Sequence, residues 1–305
     1  KMDELWWKTT NYLYDKKSQL FWRDSNYFDR KEKNGEKVFW SRGNGWVIAG
    51  LCQILQNMPA DYPARPKYEA LFKEMAVKLK SIQCDDGSWH AALLDSKTYT
   101  SPESSGTAFF AYAFTWGINQ GLLEKKEFMP SITKAWTRLV KNVHPNGKLG
   151  FVQAIGKDPQ AVTMEETDVY GVGGFLMAAH ELHKLVTVEG AASHDFTVKN
   201  PGSNLRLNSV IELDWKKAQA KLPGLTDKNV AIRDHKTGLF IPVQVYDKDL
   251  DGKPETLLTQ VNLTPKETLS LRIYKLEKAQ PAFQPSRLHL RFVPERSDDF
   301  AWEND

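Results

Sequence analysis

Residues 39–46 read Phe-Trp-Ser-Arg-Gly-Asn-Gly-Trp, and an apolar run, Val-Ile-Ala-Gly-Leu, follows directly. The pattern predicts a helix that begins among two tryptophans, an arginine and two glycines. Backbone N–H groups are unpaired at a helix N-terminus, and arginine adds a planar donor suited to a carboxylate. Indole faces suit the apolar face of a sugar ring. The stretch is therefore either a site for an acidic sugar or a glycine-eased helix start with two core tryptophans.

The composition is that of an ordinary globular protein. The 305 residues include 41 basic and 38 acidic side chains, so the net charge of +3 gives no electrostatic reason to expect a nucleic-acid or membrane partner. No apolar run approaches the length of a membrane span. Cys52 and Cys84 form neither a disulfide framework nor a zinc pattern, and we expect two small buried thiols.

Two sequence features recur about every sixty residues, a period that fits a helical hairpin with its loops. Glycine-led apolar helices begin at 43–46, 106–109 and 171–174, and turns precede an apolar residue at 17–20, 86–89 and 146–149. The glycine-led helices are apolar nearly all round, which predicts an inner layer, whereas the amphipathic helix over 66–83 belongs outside. Alternating inner and outer helices predict a partial α/α toroid of roughly three hairpins over residues 1–186. The other hairpins, which closure requires, are expected upstream of Lys1, since the chain begins without a methionine or a signal peptide.

The character of the sequence changes near residue 187. Residues 187–278 contain short alternating strands separated by Asn-Pro-Gly, Lys-Thr-Gly and Asp-Gly turns, which predicts a smaller β-sandwich-like domain. Strands are expected over 195–198, 210–213, 230–233, 240–245, 257–263 and 269–274. Residues 279–305 are interpreted as the start of a further β-rich segment.

Three carboxylates lie in the loop that should face the mouth of the toroid. A pair drawn from Asp86, Asp95 and Glu103 would suit glycoside cleavage. The alternative is structural, because Asp86 precedes a glycine in a turn and Glu103 precedes Ser-Ser at a helix start. His90 follows Trp89 and is either a sugar-binding residue or a surface residue without a binding role.

Two other patterns are weaker candidates for metal sites. His180 and His183 are three residues apart on a predicted helix, but no third ligand is evident, which favours a solvated helix face. Residues 247–252 read Asp-Lys-Asp-Leu-Asp-Gly, the opening of a calcium loop, but Leu258 occupies the position where a glutamate is needed. A charged hairpin turn is the favoured reading. We expect no metal and no organic cofactor.

Four motifs in order resemble glycoside hydrolase families 105 and 88, the unsaturated rhamnogalacturonyl and glucuronyl hydrolases. They are Val38–Trp46, Asp86–Trp89, Glu103–Phe110 and Val169–Gly173, and the resemblance covers roughly residues 1–186. The tail, residues 293–305, resembles the start of an uncharacterised β-rich family found in polysaccharide-degrading systems of the Bacteroidetes type. Such systems often work in the periplasm, so the resemblance implies a periplasmic or extracellular location that the sequence itself leaves open.

The resemblance implies an (α/α)6 barrel and an oligosaccharide substrate that ends in a 4,5-unsaturated uronic acid. In this family an aspartic acid protonates the double bond, water adds at C5, and the resulting hemiketal opens to release the sugar. The aspartate motif is not found in this chain, so the catalytic acid is expected upstream of Lys1. Proton delivery would require a carboxylic acid with a raised pKa.

Eight residues of this chain are predicted to bind the substrate. Arg42 would hold the uronic acid, while Trp40 and Trp46 would stack on the sugar or line the pocket beside Asn44. Rim positions are assigned to Arg23, Trp89, His90 and Tyr170. Arg23 stands where many relatives carry a histidine.

Two other functions stay open at this point. A non-catalytic carbohydrate-binding protein would use the same toroid without the aspartate. Another toroid enzyme, such as a polysaccharide lyase, would need a Tyr/His or Arg/Tyr pair in the cleft, for example His90 with Tyr170.

Overall fold

The computed structural model describes residues 2–188, 190–235, 238, 240–249, 251–277, 288–293 and 299–304. The chain divides into two compact units, Lys1–Thr187 and Val188–Asp305. The first is helical and the second is rich in β-strands. Among the described residues, no helix combines the length and the apolar character that crossing a bilayer requires.

Among its described residues the first unit contains six α-helices, which include the amphipathic helix predicted over 66–83 and the three glycine-led helices. They are α1 (Met2–Leu13), α2 (Ser41–Asn57), α3 (Arg65–Ser81), α4 (Ser104–Asn119), α5 (Lys125–Lys141) and α6 (Val169–Thr187). Between α1 and α2, the chain forms a short antiparallel hairpin of β1 (Tyr14–Asp15) and β2 (Leu20–Phe21).

Helix α4 lies at the centre of the helical unit. Every residue from Ser104 to Gly117 is buried, as the absence of a polar face predicts. Helix α4 packs against α2 and α6, and it also contacts the more polar helices α3 and α5. On α5 the buried residues Phe128, Ile132, Ala135 and Leu139 recur at helical spacing. Helix α4 thus packs against both α2 and α6, and we refer to these three glycine-led helices as the inner helices.

Glycines allow the first turns of the inner helices to approach one another. A Cβ atom added at Gly45 of α2 would lie 3.0 Å from the Phe109 ring, and one at Gly174 of α6 would lie 3.3 Å from the same ring. A Cβ atom at Gly106 of α4 would lie 2.1 Å from Ser41 Oγ. These contacts explain the glycine-led pattern as helix packing.

The second unit contains two antiparallel sheets among the described residues of 188–277. Their strands are β3 (Ala192–Lys199), β4 (Arg206–Asp214), β5 (Val230–Asp234), β6 (Phe240–Ile241), β7 (Val243–Tyr246), β8 (Thr256–Leu263) and β9 (Thr268–Lys275). The strand orders are β3-β9-β5-β6 and β4-β8-β7. One hydrophobic cluster joins residues of both sheets, including Ile232 and Leu271 of the first and Leu257 and Val261 of the second.

Two details of this unit differ from the prediction. A short helix, α7 (Trp215–Lys221), follows β4, where Asp214 caps it by accepting a hydrogen bond from the Lys217 N–H at 2.8 Å. The strand expected over 240–245 is divided at Pro242, which lacks the N–H that a continuous ladder uses. Most of the predicted segment 279–305 lies outside the described residues, within which β10 (Leu288–Val293) pairs with β11 (Asp299–Asn304).

Candidate functional site

The N-terminal ends of the inner helices α2, α4 and α6 meet the loops that lead into them. The Ser41 N–H, at the start of α2, donates to the Ala91 carbonyl at 2.9 Å. The Ser104 N–H, at the start of α4, donates to the Phe151 carbonyl at 2.7 Å. These bonds bring the opening motif, the loop before α4 and the loop before α6 to one end of the helical unit.

Arg42 lies between two aromatic rings at this end. Its guanidinium carbon is 4.5 Å from the Trp40 ring centroid and 4.5 Å from the Tyr170 ring centroid. Nη1 donates to the Gln153 carbonyl and, at 2.8 Å, to the Tyr170 hydroxyl, and Nη2 donates to the Ala154 carbonyl at 2.9 Å. Only 3% of the residue is exposed. The structure thus gives Arg42 a positioning role where the sequence suggested direct contact with a uronate.

Gln153 completes this cluster, and no pattern in the sequence pointed to it. Its side-chain oxygen accepts a 3.0 Å hydrogen bond from Trp40 Nε1, and its backbone N–H donates to Glu103 at 3.2 Å. The Tyr170 hydroxyl donates to the Gln153 carbonyl. Burial is the main reason why the pKa of Tyr170 is raised to about 12. We refer to Trp40, Arg42, Gln153 and Tyr170 as the arginine cluster.

A pocket of about 200 Å³ lies beside the arginine cluster. Its walls come from α1, the strand β2 with the residues after it, and the first turns of α2, and both Trp40 and Arg23 line it. Arg23 forms an ion pair with Asp24 and keeps 41% of its side chain exposed, so its guanidinium is accessible. The lining is largely apolar and aromatic, with Thr9, Thr10 and Arg23 as its polar residues, a composition suited to a sugar ring.

Trp46 presents an exposed indole on the same helix. Half of the residue is exposed, and its ring packs at a tilt against Phe109, with centroids 4.5 Å apart. An aromatic ring that is fixed on one side and open on the other is suited to stacking.

Two predicted contacts are buried structural residues. Asn44 is 1% exposed. Its Oδ1 accepts a hydrogen bond from the Phe21 N–H at 2.8 Å, and its Nδ2 donates to the Phe21 carbonyl at 3.0 Å and to the Trp40 carbonyl. Asn44 therefore fastens β2 to α2. Trp89 is also 1% exposed; its Nε1 donates to the Leu79 carbonyl, and its ring packs edge-on against Phe110. The predicted sugar contacts of both residues are corrected to roles in the core, because neither side chain is accessible.

His90 lies in a different cluster from Tyr170. Its Nδ1 is 3.1 Å from the Ser96 carbonyl, and its Nε2 is 3.9 Å from Asp86 Oδ1. Although burial lowers the pKa of His90, Asp86 and Cys84 together raise it to about 10. Burial alone would raise the pKa of Asp86, but His90 and Ser88 hold it well below its usual range. The predicted rim position of His90 is therefore replaced by a contact with Asp86.

The three candidate carboxylates take part in caps and turns. Glu103 is fully buried and caps α4, because Oε1 accepts from the Ser105 hydroxyl at 2.7 Å and Oε2 accepts from the Gly106 N–H at 2.7 Å. Asp86 accepts from the Ser88 N–H and hydroxyl in a turn. Asp95, which is 1% exposed, accepts from the Thr98 N–H. Each carboxylate follows the structural alternative, capping or turn formation.

The remaining metal candidates give no established site. Among the described residues, neither His180 nor His183 belongs to a group of three metal donors. In the loop after β7, the carboxylates of Asp247, Asp249, Asp251 and Glu255 converge. Their oxygens accept backbone N–H groups of the same turn, such as Gly252 to Asp247 at 2.7 Å, as a charged hairpin turn would.

Comparison with known families gives two matches. The family model described as Glycosyl Hydrolase Family 88 matches residues 1–186. A model described as Domain of unknown function (DUF4861) matches residues 198–305.

Two curated relatives are named Unsaturated 3S-rhamnoglycuronyl hydrolase. The one from Formosa agariphila is 42% identical over 191 residues, which are 61% of this chain and 51% of the relative. The one from an Alteromonas species is 39% identical over 176 residues, which are 58% of this chain and 43% of the relative. The chain thus spans about half the length of the curated relatives it matches.

Two solved structures are similar to this chain at 37% identity. A protein named as a glycosyl hydrolase of family 88 from Bacteroides vulgatus has a TM-score of 0.56, with 58% of this chain and 53% of that chain covered. A protein named as a polysaccharide lyase has a TM-score of 0.58, with 60% of this chain and 54% of that chain covered.

Proposed function

Because this chain belongs to glycosyl hydrolase family 88, we propose that its helical unit is part of an enzyme that hydrolyses oligosaccharides ending in a 4,5-unsaturated uronic acid. The family model covers more than half of the chain. The activity of the two curated relatives, as their names give it, supports this class of substrate. A rhamnose-containing uronic oligosaccharide of the pectin or rhamnogalacturonan type is the proposed substrate.

The observation that carries the proposal is the aromatic surface at the ends of the inner helices. Trp40 lines an apolar pocket together with the accessible guanidinium of Arg23, and Trp46 presents an exposed indole on the same helix. We assign sugar stacking to the two tryptophans and contact with the uronic carboxylate to Arg23. The assignment to Arg23 in place of Arg42 rests on exposure, because the buried donors of Arg42 face carbonyls of the protein.

The proposed chemistry is hydration of the double bond. A carboxylic acid gives its proton to C4, the electron pair of the double bond forms the new C–H bond, and water adds to the cation at C5 while losing a proton. The resulting hemiketal opens by breaking the bond between C5 and the ring oxygen, which leaves a ketone at C5 and, after proton transfer to the ring oxygen, a hemiacetal at C1. The hemiacetal then collapses to an aldehyde: the C1–O bond to the leaving sugar breaks, and that sugar oxygen takes up the proton that the hemiacetal hydroxyl loses. Four donors occupy the two carboxylate oxygens of Glu103, which caps α4, so we place the acid in the part of the relatives that this chain does not span.

The fold proposal is that the three inner helices belong to a six-hairpin toroid, (α/α)6. Helix α6 exposes 82% of Val169, 38% of Val172 and 60% of Leu176, which form one stripe at helical spacing. Helix α1 exposes 72% of Met2 and 55% of Leu5. Such apolar faces on the first and last helices are suited to packing against further hairpins. We likewise propose that the two sheets of the second unit form a β-sandwich, with the shared cluster between them.

A polysaccharide lyase is the second candidate, because one similar structure carries that name and Arg42 contacts Tyr170 as the lyase hypothesis requires. A lyase tyrosine that abstracts a proton needs a pKa close to the working pH. The pKa of Tyr170 is instead raised to about 12, and its hydroxyl is occupied by the Gln153 carbonyl. These facts favour hydrolysis.

Calorimetric titration of the 305-residue chain tests the proposed binding site. We expect binding of an oligosaccharide with a 4,5-unsaturated terminal uronate, and affinity lower by about tenfold, or ~1.4 kcal/mol, in Trp46→Ala. Trp136→Ala is the matched control, because Trp136 stacks on Phe175 with centroids 5.1 Å apart and has no assigned ligand. Equal loss of affinity in both variants, or no binding to the unmodified chain, would contradict the assignment.

A further inference from the structure

We propose that Cys84, Asp86 and His90 bind one divalent transition-metal ion of the zinc class. Their three donor atoms, a thiol sulfur, a carboxylate oxygen and an imidazole nitrogen, lie within 4.8 Å of one another. Tetrahedral zinc, with bonds of about 2.0–2.3 Å, places its ligands about 3.5 Å apart. Small side-chain rotations would bring the three atoms to that separation.

The orientation of His90 is the observation that points to a ligand. Its side chain is nine-tenths buried, and Nδ1 lies 3.1 Å from the Ser96 carbonyl, which fixes the ring and leaves Nε2 facing Asp86. Nε2 is buried and has no hydrogen-bond partner among the described residues, since its 3.9 Å distance to Asp86 Oδ1 exceeds hydrogen-bond length. Metal-binding histidines are typically held in this way, with the second nitrogen on a backbone carbonyl.

The backbone forms a hydrogen-bonded turn from Cys84 to Ser88, which contains Asp86 and ends two residues before His90. The Cys84 N–H donates to the Ser88 carbonyl at 3.0 Å, and the Gly87 N–H donates to the Cys84 carbonyl at 3.0 Å. Gly87 has φ +90°, and a Cβ atom there would lie 2.5 Å from the Lys134 carbonyl oxygen. Ligands on a turn that is packed so closely against α5 start near their final positions, which reduces the entropy lost on binding.

The donor set selects the class of metal. Sulfur and imidazole ligands favour zinc and its neighbours, whereas calcium and magnesium prefer oxygen ligands. Arg138 Nε lies 3.7 Å from Asp86 Oδ2, on the carboxylate oxygen other than the one facing His90, and can orient that carboxylate. Three protein ligands leave a fourth position for water. Cys84 is only partly buried, so the site is open to an incoming ion.

Cobalt(II) titration of the untagged 305-residue chain, stripped with a chelator, tests the site. We expect one equivalent of Co²⁺ to produce the charge-transfer absorption of a thiolate–cobalt bond, and an equivalent of Zn²⁺ to remove it. Cys84→Ser should abolish the band, and His90→Gln should weaken the affinity for Co²⁺ by at least about tenfold. Circular dichroism of each variant establishes that the chain is folded.

The only other cysteine in the sequence supplies the matched control. Cys52 is buried in the helical core, and Cys52→Ala should keep the cobalt band. A second control, His235→Asn, changes a histidine that contacts Asp195 in the other unit. The proposal is overturned by a folded chain that gives no sulfur–cobalt band, by a band that persists in Cys84→Ser, or by a band that only Cys52→Ala removes.

Discussion

The guanidinium carbon of Arg42 lies 4.5 Å from the ring centroid of Tyr170, and Arg42 Nη1 donates a 2.8 Å hydrogen bond to the Tyr170 hydroxyl. The two residues come from the first turns of α2 and α6, so this contact ties the ends of two inner helices together. Both residues also bond the Gln153 carbonyl. The arginine of the opening motif thus joins the start of α2 to the loop before α6 and to the first turn of α6.

Replacement of Arg42 is expected to destabilise the helical unit. Arg42→Ala removes the buried charged donors that Arg42 gives to the Gln153 carbonyl, the Tyr170 hydroxyl and the Ala154 carbonyl, which should lower the free energy of unfolding by about 3 kcal/mol. Arg30→Ala is the control, since Arg30 has an exposed ion pair with Asp158 and should change stability by less than about 1 kcal/mol. Urea unfolding followed by tryptophan fluorescence measures both. Similar stability of the two variants would show that the Arg42 contacts are unimportant.

The cap of α4 predicts a difference between two glutamates at equivalent positions. Glu103→Gln places an amide N–H₂ group or a weaker oxygen against donors such as the Gly106 N–H, and should cost about 2 kcal/mol. Glu124 is the N-cap residue of α5 but makes no side-chain capping bond, so Glu124→Gln should be nearly neutral. Urea denaturation midpoints distinguish the pair. A neutral Glu103→Gln would contradict the capping role.

Two glycines in the first turns of α6 should respond in opposite ways to alanine. At Gly171 a Cβ atom would lie 2.6 Å from Val152 Cγ2, so Gly171→Ala should destabilise by about 1–3 kcal/mol. At Gly173 nothing among the described residues lies within 4 Å, and the higher helix propensity of alanine should stabilise by up to about 1 kcal/mol. Thermal unfolding by circular dichroism checks the signs. The packing account fails if both substitutions shift the midpoint in the same direction.

The β1–β2 hairpin beside the pocket should lose stability in acid. Burial alone would raise the pKa of Asp15, but hydrogen bonds from Lys37, Ser18 and the Lys17 N–H lower it below its usual value. A carboxylate with a lowered pKa contributes stability above its unfolded-state pKa of about 3.9, and this contribution disappears as the pH falls through the folded-state value. Asp15→Asn should therefore be destabilising at pH 7 and neutral in strong acid. Urea unfolding curves recorded from pH 7 to pH 2 measure this pH dependence. Asp61→Asn is the control, because Asp61 is exposed. A destabilisation by Asp15→Asn that does not change with pH would refute the prediction.

Helices and strands could be predicted from the sequence because their signals are local. Apolar residues of α5 recur at helical spacing, and strands β8 and β9 alternate between buried and less buried positions. Helix α7 was not predicted, because it has only seven residues and the segments on both sides of it have strand patterns. Its capping residue, Asp214, is a weak signal on its own. The apolar residues around Pro242 likewise suggest one strand, although the missing N–H of the proline divides the ladder.

The roles of individual site residues depend on distant partners, which local patterns do not reveal. Trp89 and Trp46 are both tryptophans in family motifs, yet one is enclosed by the core and the other is half exposed. Asn44 faces β2, twenty-three residues earlier in the chain, and Gln153 bonds Trp40 from more than a hundred residues away. The residue types therefore suggested a sugar site, while the structure was needed to separate exposed side chains from buried ones.

The absorbance of the C4=C5 double bond, followed during incubation with an unsaturated uronyl oligosaccharide, tests the proposed function most directly. The protein as its gene encodes it should make this absorbance fall, because hydration destroys the conjugated double bond, and it should leave saturated polyuronides unchanged. An absorbance that stays constant with unsaturated rhamnogalacturonyl and glucuronyl substrates alike, or one that rises with a saturated polyuronide as lyase action would cause, would contradict the account.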